Sequence, residues 1–91
     1  MRFEDALFNW LQIKVVADGR PDDGAAKETE SFFRSILSED HGLESFAVAG
    51  VDDTMYRVVY VKDGKKKTQL FDKEAVEQLL VDINGNPKYN E

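Results

Sequence analysis

The pattern of apolar residues predicts an α+β fold: two N-terminal helices, a three-stranded antiparallel meander and a C-terminal helix (ααβββα). Three observations carry this. Apolar residues recur at helical spacing from Phe3 to about Asp40. From Leu43 to Phe71 the chain turns to β-branched and aromatic residues, Phe46, Val48, Val51, Tyr56, Val58, Val59, Tyr60, Val61 and Phe71, together with Leu70, broken at Asp52-Asp53 and Asp63-Gly64. Such residues suit a pleated, half-buried surface, and Asp-Gly supplies the positive φ angles of a tight hairpin. A helical stripe then resumes after Asp72.

Phe3 to Ala17 read as the first helix. Phe3, Ala6, Leu7, Trp10, Leu11 and Ala17 fall in one arc, with Ile13 at its edge. Phe8 and Val15 widen that arc beyond one packing face. A helix apolar over so much of its circumference lies between two elements, or between its own domain and a partner. Gly19 and Pro21 end it.

The second helix starts near Asp22 or Asp23, either of which caps the orphan amides, and runs to about Asp40. Ala25, Thr29, Phe32, Phe33, Ile36 and Leu37 form its expected stripe, with Lys27, Glu30, Ser31, Arg34 and Ser38 opposite. Glu30 and Arg34 form an i,i+4 pair worth a few tenths of a kcal/mol. Gly42 ends the helix in the left-handed conformation.

The strands are expected at Glu44–Val51, Met55–Lys62 and Lys66–Phe71. Two registers compete at the second turn. A two-residue Asp63-Gly64 loop sets Val59 opposite Thr68. A bulged loop including Lys62 sets Val58 opposite Thr68 and Tyr56 opposite Leu70. The second is preferred, because it gathers Tyr56, Val58, Tyr60, Thr68 and Leu70 on one face and sends Arg57, Lys65, Lys67 and Gln69 outward. The third helix starts at Asp72 as N-cap, with Phe71 and Val76 as a hydrophobic staple. Ala75, Val76, Leu79, Leu80 and Ile83 form its stripe, Asn84-Gly85-Asn86-Pro87 stops it, and residues 84–91 read as a frayed tail. Helices two and three are expected to cover the sheet, with the first beside them or against a second subunit.

Ninety-one residues make one small domain, residues 1–91. Apolar residues are 42% of the chain and charged residues 33%, as in ordinary globular proteins. No apolar run is long enough for a membrane span, and the acidic start, Glu4-Asp5, does not read as a signal peptide. A cytoplasmic location is therefore expected. Without cysteine, the chain has neither thiolate chemistry nor disulfides to staple a small core. The net charge of −6 disfavours nucleic acids and anionic membranes. Residues 43–71 stand apart, with five bases against four acids.

No nucleophile, general-base or phosphate-loop signature appears, so no enzyme, cofactor or metal is expected. His41, the one histidine, reads as a helix C-terminal residue favoured by the dipole. Asp82, Asn84, Gly85 and Glu91 partly match a calcium loop, but Leu80 holds the first position and has no ligating group, so a helix terminator is the better reading. From the second helix onward, the helix–three strands–helix order is similar to that of double-stranded-RNA-binding domains. Those domains aim lysines at phosphates from the start of the final helix. Here that stretch is Asp72-Lys73-Glu74, and the first strand turn is Asp52-Asp53, so the likeness extends to topology only.

Two surfaces remain as candidates. Phe3, Phe8, Trp10 and Val15 on the first helix suit contact with another protein or a second copy of the chain. Lys62, Lys65, Lys66 and Lys67 would serve the alternative, a phosphate-contacting hairpin; lysines on a strand also guard a free edge against aggregation. The leading expectation is a non-enzymatic protein-interaction or accessory module.

Overall fold

All the predicted elements form, in the predicted order. The structure is a computed structural model that describes residues 1–85. Most of the expected frayed tail, and Glu91 of the partial calcium loop, lie outside the described residues. The elements are α1 (Phe3–Gly19), α2 (Gly24–Ser35), a π-helical segment (Ile36–Asp40), β1 (Leu43–Val51), β2 (Met55–Lys62), β3 (Lys65–Asp72) and α3 (Lys73–Asn84).

Local chemistry sets the boundaries. Asp72 accepts from the Ala75 amide at 2.9 Å as the expected N-cap, and of Asp22 and Asp23 it is Asp23 that caps α2, accepting from the Ala26 amide at 3.0 Å. After Ser35 the helix widens by one residue per turn, and the His41 amide reaches back five residues to the Ile36 carbonyl at 3.2 Å. Gly42, at φ 68°, then turns the chain into β1.

The sheet has the order β1-β2-β3, antiparallel throughout. Its second register corrects the preferred one. Asp63 and Gly64 alone form the loop, at φ 55° and 74°, the two positive angles of a type I′ hairpin. Lys62 stays in the ladder opposite Lys65, Val59 faces Thr68 and Tyr56 faces Phe71. Because Asp-Gly closes the turn without a bulge, Phe71 rather than Leu70 points to the core. Its ring lies 5.9 Å from that of Phe8. Lys67 and Gln69 move to the inner face, and Lys66, Thr68 and Leu70 to the outer one.

The helices form a layer on the inner face. α1 takes the central place that the sequence assigns to the other two. Three of its rings meet the three strands: Trp10 at Phe46 of β1, Phe3 at Tyr60 of β2 and Phe8 at Phe71 of β3. Ala6, Leu7, Trp10 and Leu11 are fully buried there with Leu37, Val58 and Val76. The second half of α1 runs on between the flanking helices, where Ile13 and Val16 pack with Ala26 of α2 and Ile83 of α3. A helix with a sheet beneath it and a helix on either side has use for a wide apolar arc.

α2 is rotated from its expected orientation. Ala26 and Leu37 are buried and Phe33 is half-buried, whereas Ala25, Thr29 and Phe32 face solvent. The inward row is therefore 26, 30, 33 and 37, which places Glu30 on the packing face. Trp10 donates its indole N–H to Glu30 Oε2 at 2.7 Å, and Arg34 donates to the same oxygen at 2.8 and 3.1 Å. The Arg34 guanidinium lies 5.2 Å from the centre of the Phe46 ring, which meets Trp10 edge-on at 4.9 Å. The carboxylate thus ties α1 to α2, and both residues that it holds, Trp10 and Arg34, meet Phe46 of β1. Among the described residues no helix is long and apolar enough to cross a membrane.

Candidate interaction surface

The aromatic residues of α1 pack inward. Trp10 is fully buried, and Phe3, Phe8 and Val15 are half-buried against the same core. Phe3 also meets the edge of the His41 ring at 5.6 Å, and Lys62 Nζ lies 5.5 Å from its centre. His41 thus closes one end of the core. Among the described residues no three His, Cys, Asp or Glu side chains come together as a metal site would require.

The lysine cluster divides. Lys62 turns to the inner side over Phe3, whereas Lys65, Lys66 and Lys67 are exposed on β3. The ladder sends Lys66 to the outer face and gives Lys65 and Lys67 the opposite parity. The four residues therefore do not form one surface.

The outer face of the sheet is the surface that the sequence reading missed. Ser45 and Ala47 of β1, Arg57, Val59 and Val61 of β2, and Lys66, Thr68 and Leu70 of β3 share it by register. None of these side chains belongs to either core cluster. Leu70 is 52% exposed, and Val59 and Val61 are half-buried. Gly50 has a specific part here: a Cβ at that position would lie 2.7 Å from Arg57 Nη2. Its absence lets the guanidinium lie against β1. The sequence signal for this face was present in Asp63-Gly64, since a loop with both angles positive selects the register that turns Leu70 outward.

The ionisable groups around the sheet are unevenly engaged. Asp52 accepts from the amides of Thr54 and Met55, each at 2.8 Å, which hold its carboxyl below the usual range. Glu44 Oε1 accepts from the Gly64 amide at 3.0 Å, and Asp72 caps α3. These acids serve backbone N–H groups. Among the described residues the ion pairs are Arg2–Glu4, Lys14–Asp18, Arg20–Asp23 and Arg34–Glu30, all in the helical layer or its turns. Arg57, Lys62, Lys65, Lys66 and Lys67 enter none of them.

Two open clefts indent the opposite parts of the molecule. The larger, about 560 Å³, lies between the α1–α2 turn and Asn84. Arg20 bridges it, donating to Asp23 Oδ2 at 3.3 Å and to Asn84 Oδ1 at 2.9 Å. The Asp23 carboxyl is held low by the Ala26 amide and by Arg20. The smaller, about 280 Å³, flanks the start of α3 and is lined by Asp53, Thr54, Asp72, Lys73, Glu74 and Glu77. At these clefts Asp23 and Asp72 act as helix caps, and Glu77 accepts from the Tyr56 hydroxyl. Comparison with protein-family models, curated proteins and solved structures yields no match.

Proposed function

We propose that this protein is a small, non-enzymatic interaction module of the cytoplasm that binds another protein through the outer face of its sheet. The observation that supports this is the position of Leu70, Val59 and Val61. Val59 and Val61 lie on the central strand and Leu70 on the edge strand of a sheet face that no helix among the described residues covers, and Leu70 is half in solvent. Apolar centres with a polar or charged rim are the usual anatomy of a protein-binding surface. Arg57 and Lys66 supply that rim. The reading moves the contact from the aromatic residues of α1, which pack in the interior, to the opposite side of the sheet.

Lys65, Lys66 and Lys67, which enter no ion pair among the described residues, favour a second reading, a phosphate-contacting hairpin. Against it stand the net charge of −6 and the acids at both strand turns, Asp52-Asp53 and Asp63. Among the described residues the outer face also carries no aromatic ring on which a base could stack.

Amine-reactive cross-linking of the chain in native lysate tests the proposal. Cross-links to other proteins are expected to concentrate on Lys65, Lys66 and Lys67 rather than on Lys14, Lys27 and Lys73 of the helical layer. A folded Val59→Glu/Leu70→Glu variant should lose them. Cross-links centred on the helices, or unchanged in that variant, would reject the outer face as the binding surface.

A further inference from the structure

We infer that the free edge of β3 takes up an extended, acidic segment of a partner protein as a fourth strand, with apolar partner residues beside Leu70. The inference rests on the reading of the sheet side as a protein-binding surface and specifies its partner.

Backbone geometry supplies the first argument. β3 is an edge strand, since the sheet order is β1-β2-β3. In a two-residue hairpin the pair flanking the loop, here Lys62 and Lys65, exchanges hydrogen bonds, and antiparallel pairs alternate from there. Lys65, Lys67, Gln69 and Phe71 therefore turn their backbone groups toward β2. Lys66, Thr68 and Leu70 turn theirs toward the open side. The side chains of these same three residues are exposed on the outer face. An added strand would pair with their backbone and set its own side chains against them, the common mode of strand addition.

Charge supplies the second. Lys65 and Lys67 project to one side of the strand and Lys66 to the other, and none enters an ion pair among the described residues. Of the acids flanking the strands, Glu44, Asp52 and Asp72 are engaged by backbone amides, and Asp63 lies exposed in the loop between Lys62 and Lys65. An incoming strand with carboxylates on both faces near the hairpin would neutralise all three lysines. Further along, Leu70 calls for an apolar neighbour. Lysines on an edge resist unselective pairing, and the same charge selects an acidic strand.

The other occupants match less of this surface. A second copy offers its own β3 edge with the same three lysines, and pairing β3 with a β1 edge would propagate without closing. A nucleic acid would meet the lysines but leave Leu70 and the open backbone groups unmatched.

The test pans a library of displayed random twelve-residue peptides against the immobilised full chain. Recovered peptides are expected to carry consecutive Asp or Glu residues toward one end and apolar residues toward the other, and to be poor in Pro. Their affinity for a Lys65→Glu/Lys66→Glu/Lys67→Glu variant should fall by about tenfold or more, while Lys27→Glu on α2 has no effect. Thr68→Pro removes an outward N–H without touching the ladder to β2, and should also abolish binding. Amide hydrogen exchange in the unmodified protein gives a readout independent of that variant's folding: the Lys66, Thr68 and Leu70 amides should slow when a selected peptide is added. An empty selection, or peptides without acidic enrichment, overturns the inference. Binding lost in Val59→Glu/Leu70→Glu, with edge amides unprotected, would overturn strand addition but leave the outer face as the binding surface. Binding indifferent to every sheet-side variant would remove both. Displacement of the peptides by oligo(dT), lysine-dependent and steeply weakened by salt, would favour the phosphate reading instead.

Discussion

Glu30→Ala should destabilise the fold by about 2 kcal/mol, several times the value of the surface ion pair that the sequence suggests. Its carboxylate accepts from the Trp10 indole at 2.7 Å and from Arg34 at 2.8 and 3.1 Å, and its side chain is only 16% exposed. Trp10 is fully buried, so truncating Glu30 strands its N–H away from water, at a cost of about 1–3 kcal/mol. The half-exposed Arg34 contributes only about 0.3–0.5 kcal/mol through the pair itself. The better helix propensity of alanine returns a few tenths. Glu30→Gln keeps an acceptor in place and should lose less, because a neutral acceptor gives roughly half the strength of a charged one. Urea denaturation followed by far-UV circular dichroism is the assay, because it also reads the Trp10→Phe background. A loss of that size lowers the midpoint by about 1–2 M, given slopes of roughly 1–3 kcal/mol/M for small proteins. A double-mutant cycle isolates the bond: in a Trp10→Phe background, with no N–H to satisfy, Glu30→Ala should cost at least about 1 kcal/mol less. An equal loss in both backgrounds, or a Glu30→Ala change below about 0.5 kcal/mol, would refute the assignment of Glu30 as the buried acceptor.

Two further outcomes are expected. The Tyr56 hydroxyl donates to Glu77 Oε2 at 2.5 Å, and burial first, then that bond and the charge of Glu77, push its pKa to about 12. The folded value lies above the unfolded one of about 10, so this stabilisation is complete below about pH 10 and is lost as pH rises through 12. Tyr56→Phe should remove that alkaline component, and denaturation midpoints that fall in parallel for both proteins from pH 10 to 12 would contradict it. Leu37→Ala, at a fully buried site, should cost about 2–5 kcal/mol, and the half-buried Leu79→Ala and Phe33→Ala less, about 2 kcal/mol each. Chemical denaturation that ranks either of them above Leu37→Ala would show that the core is not centred beneath α1.

Residue chemistry acting over a few positions was legible in the sequence. The cap at Asp72, a cap at Asp22 or Asp23, the turn at Gly42, a turn at Asp63-Gly64 and the order of six elements each depend on neighbours within one or two turns of chain. So does the apolar width of α1, which marked it as a helix with contacts on more than one side. The sequence did not decide what makes those contacts. That choice rests on burial among residues far apart in the chain: Trp10 with Phe46 and Glu30, Phe8 with Phe71, Ile13 and Val16 with Ile83. The orientation of α2 was hidden for the same reason, because a carboxylate reads as a surface group until a buried indole is placed beside it. The strand register turned on one residue at Lys62, and with it on whether Leu70 or Phe71 faced the core. Phe71 found a ring to meet on α1, and Leu70 was left on the outer face. The sequence therefore determined which elements form and where they end. Only the tertiary structure decided that α1 is interior and that the opposite side of the sheet is open, because a side chain's face is set by what the rest of the fold brings to it.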